Sequence, residues 1–191
     1  MSPLVWLVIG IVLVAAIGPV FWLLPSKRDR AQGEMRAAAR QAGLVVELAT
    51  VPKVDARPEE RVSAGGKARD AKEDCAAYRL ALPRRLEYAP RWLLVKSDRE
   101  NRYLDGWTTP SPPRRLPARQ EPYWRAVGAI IDHLPGGCRA VESDVRHVTW
   151  YGRERLRESS PEAVVAGIRD GLVAIGELHE KLDGGDRDAP K

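Results

Sequence analysis

The hydrophobic positions of the chain fall into two regimes. From Leu4 to Leu24 they run on without a single charge, whereas beyond Lys27 they recur with the periods of amphipathic helices and half-buried strands. As a helix rising about 1.5 Å per residue, the first run reaches roughly 31 Å, the thickness of a bilayer's hydrocarbon core. After it, "RAQGEMRAAARQAG" reads as a helix closed by Gly43, and Leu44–Val51 as a strand stopped by Pro52. Residues 52–74 hold few large apolar groups and read as a long exposed loop. Cys75–Leu82 alternates, which predicts a half-buried strand with Ala76, Tyr78, Leu80 and Leu82 on one face and Arg79 on the other. Trp92–Ser97 and Arg102–Trp107 read as further strands, joined by a polar loop over Asp98–Asn101.

Five prolines between Thr108 and Pro122 predict a polyproline-like connection. Tyr123–Leu134 then suits an amphipathic helix with Trp124, Val127, Ile130, Ile131 and Leu134 inward. Cys138–Glu154 reads as one or two strands, turning at Ser143-Asp144. The last helix has Ser160 as cap, Pro161 at its first position and an inward stripe of Val165, Ile168, Leu172, Ile175 and Leu182, with Gly184-Gly185 expected to end it. Helices interspersed with strands in this order predict an α+β fold with helices on a mainly antiparallel sheet. The expected organisation is a transmembrane anchor over residues 1–26, a basic juxtamembrane helix over 27–43, a cytoplasmic α+β domain over 44–183 and a flexible tail over 184–191.

The flanks of the first run give it a direction. No basic side chain precedes Leu4, and the residues before Pro25 are large, so neither end fits a cleaved secretory signal. Trp6 and Trp22 stand near the two ends, where amphipathic rings favour the membrane interface, and Lys27, Arg28 and Arg30 follow at once. By the positive-inside rule the N-terminus lies outside and the remaining chain lies in the cytoplasm of a bacterial cell, as a single-pass inner-membrane protein. Pro19 is expected to kink the span. In a reducing cytoplasm Cys75 and Cys138 are free thiols packed as small apolar groups, and they lack a second ligand at metal spacing. His133, His147 and His179 likewise show no paired spacing, and neither metal nor cofactor is expected.

Net charge is +5, and residues 83–125 carry ten basic against five acidic groups, whereas residues 126–191 carry nine against twelve. Arg84, Arg85, Arg91, Arg114, Arg115 and Arg119 are therefore the candidate contacts for an anionic lipid or nucleic acid, although nucleic acid is not the expected partner. Glu142 and Asp144, two apart, would share a face of a continuous strand as an acid/base pair, with His147 on the opposite face. A turn at Ser143-Asp144 is the plainer reading. Gly65-Gly66-Lys67 lacks the spacing and the preceding strand of a phosphate-cradling loop.

The stretch "LPSKRDRAQGEMRAAARQAGLVVEL", behind an apolar run, resembles the start of the YajC family of protein-translocase accessory subunits over residues 1–50. That family's glycine-rich turn has no counterpart after Leu48, and this chain is longer. "RVSAGGKARD", "YRLALPR" and "VESDVRHVTWYGRE" are similar in layout to single-span proteobacterial inner-membrane proteins. The resemblance implies location and topology, and by analogy a translocase role. Together with the absence of a catalytic motif, the expectation is a non-enzymatic accessory or scaffold protein. Its anchor is residues 4–24, and its α+β domain binds another membrane or cytoplasmic protein. Lipid or nucleic-acid binding through the arginines, and an enzyme using Glu142 and Asp144, are the alternatives.

Overall fold

Four helices and six strands arise from these patterns in the computed structural model, which describes residues 3–22, 26–87, 89–98, 104–110, 120–154 and 159–187. The chain divides into two compact units, Met1–Glu34 and Met35–Lys191. In the first unit, helix α1 (Pro3–Trp22) is continuous through Pro19, and its side chains are described as far as Val14. Among the described residues, no helix is long and apolar enough to cross a membrane. Helix α2 (Lys27–Gln41) starts abruptly because Ser26 and Asp29 cap each other. The Asp29 amide donates to Ser26 Oγ at 3.2 Å, and the Ser26 amide donates back to Asp29 Oδ2 at 3.0 Å. That hydrogen bonding holds the Asp29 carboxyl below its usual range.

The last turns of α2 belong to the second unit, where Met35 and Ala39 are buried. The expected juxtamembrane helix therefore does not stand apart from the domain, since its end supplies part of the core. Gly43, at φ +81°, closes the helix in a Schellman motif, with the Gly43 amide donating to the Arg40 carbonyl and that of Leu44 to the Ala39 carbonyl.

The strands are β1 (Val45–Pro52), β2 (Lys72–Ala81), β3 (Trp92–Lys96), β4 (Trp107–Thr108), β5 (Cys138–Ser143) and β6 (His147–Gly152). They form one antiparallel sheet in the order β1-β2-β6-β5-β3-β4. On one face Tyr78, Trp92, Leu94, Val141, Val148 and Trp150 form the main core. They pack with Met35 of α2, Trp124, Val127 and Ile131 of α3 (Gln120–Asp132), and Val165, Ile168, Leu172 and Ile175 of α4 (Pro161–Arg187). The opposite face carries a smaller cluster of Val51, Cys75, Ala77, Val95, Ala140 and Tyr151, to which no described helix contributes.

Three expectations are corrected here. β2 is not half-buried, since Cys75 to Tyr78 are buried in succession and both faces of the strand are covered. Residues 52–74 are ordered by a short 3-10 helix (Pro58–Arg61) and a bridge between Val62 and Ala68. Helix α4 runs through Gly184 and Gly185 to Arg187, so the tail expected over 184–191 begins as helix. Glycine ends a helix by taking the left-handed turn that its missing side chain permits, and here the helical backbone continues through both glycines instead. Ser160 caps α4 as expected, its Oγ accepting from the Ala163 amide at 3.2 Å. Of the strand expected over Arg102–Trp107, Trp107 is the part that pairs, and Arg102 and Tyr103 lie outside the described residues.

Gly152 closes the sheet where β6 meets the turn before β5. A Cβ there would stand 2.3 Å from the ring of the fully buried Trp150 and 2.6 Å from the Gly137 carbonyl oxygen. Gly152→Ala is therefore expected to cost about 2 kcal/mol, as overpacking does in well-packed cores. A fall in the urea midpoint of the full chain with an unchanged slope checks it.

Candidate functional site

The β5–β6 hairpin decides the fate of the paired carboxylates. The strand ends at Ser143, and the chain turns over Asp144–Arg146 before His147 opens β6. In this register Glu142 pairs with Thr149. By alternation Glu142, Thr149 and His147 therefore share the face away from the helices, because the turn reverses the chain. His147 is thus not opposed to Glu142, as it would be on a continuous strand. Glu142 accepts a hydrogen bond from the Tyr151 hydroxyl. Asp144 accepts from the Val145 amide at 2.7 Å and lies 3.5 Å from Arg91 and 4.0 Å from His147 Nδ1. Each carboxylate is engaged in holding the hairpin together.

The candidate arginines are dispersed. Arg84 pairs with the buried Asp183 at 2.6 Å, and Arg91 with Asp144, while Arg85 is exposed. Arg114, Arg115 and Arg119 lie outside the described residues. The two paired guanidinium groups serve the fold, which lowers what they can offer an external anion. Near the N-terminus Trp6, Lys27, Arg28 and Arg30 are all exposed, and the Trp22 side chain lies outside the described residues.

The polar groups that the structure does bring together lie elsewhere. His179 of α4 is fully buried, with Ser143 Oγ 2.9 Å from its Nδ1 and the Tyr123 hydroxyl 2.7 Å from its Nε2. Trp92 Nε1, a donor only, occupies one lone pair of the same hydroxyl at 2.5 Å. Tyr123 then satisfies its own proton by donating to Nε2, so His179 carries its proton on Nδ1 and donates to Ser143. A serine nucleophile needs a base that accepts its proton, and this chain runs the other way. With Ser143, Tyr123 and His179 all buried, the serine–histidine contact is a core polar network. Burial holds the His179 imidazole down to about 4 and raises the Tyr123 hydroxyl. The sequence held one signal for it: His179 stands four residues after Ile175, on the buried stripe of α4.

A second network ties α2 to the sheet. The Glu154 side chain, 4% exposed, accepts two hydrogen bonds from Arg36, at 2.7 and 2.6 Å, and a third from the Tyr78 hydroxyl at 2.7 Å. That partnership raises Arg36 further above its usual value, while burial pushes the Tyr78 hydroxyl up. On the face away from the helices, Glu73 sits between Arg139, at 3.2 Å, and Arg153, at 2.7 Å. Beside it the Cys75 thiol is pushed up to about 11 by burial, which leaves it a poor nucleophile. Both cysteines are free and buried, and among the described residues no cluster of metal-ligating side chains occurs.

What remains open is the margin of the sheet. β1 is an edge strand of eight residues, and among the described residues no strand pairs with its outer side. Leu48 is 79% exposed on it and Val45 50%, with Glu47 held by Arg79 on the neighbouring strand. A row of peptide groups beside two exposed apolar side chains is the surface on which an extended segment can add as a further strand. Comparison with known proteins found no matching family, no matching curated relative and no matching solved structure.

Proposed function

We propose that the chain is a single-pass accessory or scaffold protein of the bacterial inner membrane, whose cytoplasmic α+β domain binds a protein partner along the outer edge of β1. The observation that carries the proposal is that edge, with Leu48 and Val45 exposed beside backbone that no strand among the described residues pairs. Proteins that use no edge commonly blunt it with charge or proline, and β1 carries one glutamate and a proline only at its end.

The membrane part is supported by α1. Leu4, Trp6, Leu7, Ile11, Val12 and Val14 are each more than half exposed and surround the helix with apolar surface. An uncharged helix apolar all round is matched to lipid rather than to water. The uncharged sequence continues past the described side chains to Leu24, and it is this whole run, from Leu4 onward, that the proposal takes as the span. Exposed Lys27, Arg28 and Arg30 on the capped start of α2 then favour the cytoplasmic side.

A mild-detergent pull-down of tagged full-length protein tests the reading with two variants. One is Val45→Lys/Leu48→Lys, the other has residues 4–24 replaced by an unrelated span. The expected result is partners kept with the foreign span and lost with the lysines. Partners kept by the lysine variant and lost with the span would overturn the edge as the binding surface. Cys75 and Cys138 are buried, so sidedness is read at an introduced thiol. Glu177→Cys, on the exposed side of α4, is expected to resist an impermeant maleimide in intact spheroplasts, and labelling there would overturn the cytoplasmic assignment.

A further inference from the structure

The connection between β1 and β2 places like charges against one another. The Arg69 amide donates to the Arg61 carbonyl at 2.8 Å, just outside the Val62–Ala68 bridge, so the two arginines stand opposite each other across a short antiparallel pair. Like charges facing each other across strands are destabilising. A second ladder adds to them, for the Lys53 amide donates to the Ala71 carbonyl and Pro52 pairs with Lys72. Lys53, Arg61, Arg69 and Lys72 together line a cleft of about 590 Å³, and Thr108 and Thr109 line it with them. That volume is within the range of small-ligand sites.

The carboxylates do not cancel this charge. Asp70 lines the cleft, and Glu60, which is not part of the lining, pairs with Lys53. Four cations thus meet two carboxylates. Two of the cations are also held in place. Arg61 donates from Nη2 to the Val54 carbonyl at 2.9 Å and from Nε to the Ala56 carbonyl at 3.4 Å, and Arg69 donates from Nε to the Glu60 carbonyl at 3.2 Å. A guanidinium has five donors, so three on Arg61 and four on Arg69 are left by these bonds. Lys72 is exposed and makes no side-chain hydrogen bond or ion pair among the described residues.

We infer that this cleft binds a phosphate-bearing ligand, received by the guanidinium edges of Arg61 and Arg69 with Lys72 and the two threonine hydroxyls around it. Paired guanidinium groups fixed at one edge match the oxygens of a phosphate bidentately, and a dianion offsets the two surplus charges. The site is separate from the arginines of the 84–119 region and from Val45 and Leu48, on which the proposed partner binding rests. The phosphate comes from a soluble metabolite or from a lipid headgroup.

Isothermal titration of the full-length chain in uncharged detergent with pyrophosphate tests the site, beside a second titration with glycerophosphoglycerol, a phosphodiester headgroup without its acyl chains. Saturable binding of one pyrophosphate is expected, at least tenfold weaker in Arg61→Gln/Arg69→Gln. Arg61 also holds loop carbonyls, so Lys72→Gln is the second variant, expected to weaken binding several-fold with an unchanged melting temperature. Pyrophosphate binding alone assigns a soluble ligand, and equal binding of the phosphodiester assigns a lipid, each in support of the site. Titrations that do not saturate with either probe, or affinities equal in wild type and Lys72→Gln, overturn it.

Discussion

Replacing His179 with alanine is expected to cost about 4 kcal/mol, the sum of a buried cavity and two hydroxyls left without their partner. Tyr123 loses its acceptor and Ser143 its donor, and neither reaches water in the folded state. The same residue gives the domain a pH dependence with a definite sign. The imidazole is held down to about 4 by burial, against about 6.5 in an unfolded chain. Between these values the unfolded state binds the extra proton, so stability is intact above pH 6.5 and falls as the pH is lowered toward 4. The loss over that window is about 3 kcal/mol, at 1.36 kcal/mol per unit. Urea midpoints at pH 7 and pH 4.5 for wild type and His179→Ala isolate the effect from carboxylates common to both. A wild-type chain whose midpoint falls no further than the variant's between the two pH values would contradict it.

Glu154→Ala has the second largest expected effect, about 3 kcal/mol. Breaking a buried charged pair by removing one partner costs about 3–5 kcal/mol, and Arg36, 34% exposed, recovers part of that by meeting water. Tyr78 cannot do so, since it is fully buried, and its hydroxyl is left without an acceptor. Tyr78→Phe in the alanine background is therefore expected to restore stability rather than lower it, because it removes the orphaned group. A double-mutant cycle over Glu154 and Tyr78, read by chemical denaturation, measures that coupling. A cycle that closes with no interaction would show that the hydroxyl finds another partner.

Much of the fold was legible because its signals are local. Gly43 after an alanine-rich run, Ser160 before Pro161, and the alternation of Cys75–Leu82 each announce a backbone state within a few residues. The networks were not, because their members are distant in sequence. Glu154 meets Arg36 across 118 positions and Tyr78 across 76, and nothing near Glu154 distinguishes it from a surface carboxylate. His179 was half legible, since its place on the stripe of α4 implied burial, but not that Ser143 and Tyr123 would meet it. Glu142 and Asp144 would share a face only on a continuous strand, and the strand ends at Ser143, where the turn composition of Ser143-Asp144 is the plainer signal. The cationic cleft was hidden in residues 52–74, where low hydrophobicity reads as a long exposed loop and gives no sign of the backbone bonds that bring its cations together.

The two margins of the sheet differ in length, and this limits what edge association can build. β1 offers eight residues, while among the described residues β4 at the opposite margin offers two. A filament grows only if each added subunit leaves behind an acceptor as good as the one it filled, and two residues are too few to nucleate pairing. Contact through β1 alone joins like to like across a two-fold axis and consumes both acceptors at once. Self-association through β1 alone would therefore stop at two chains, with no acceptor left over from which a fibre could grow.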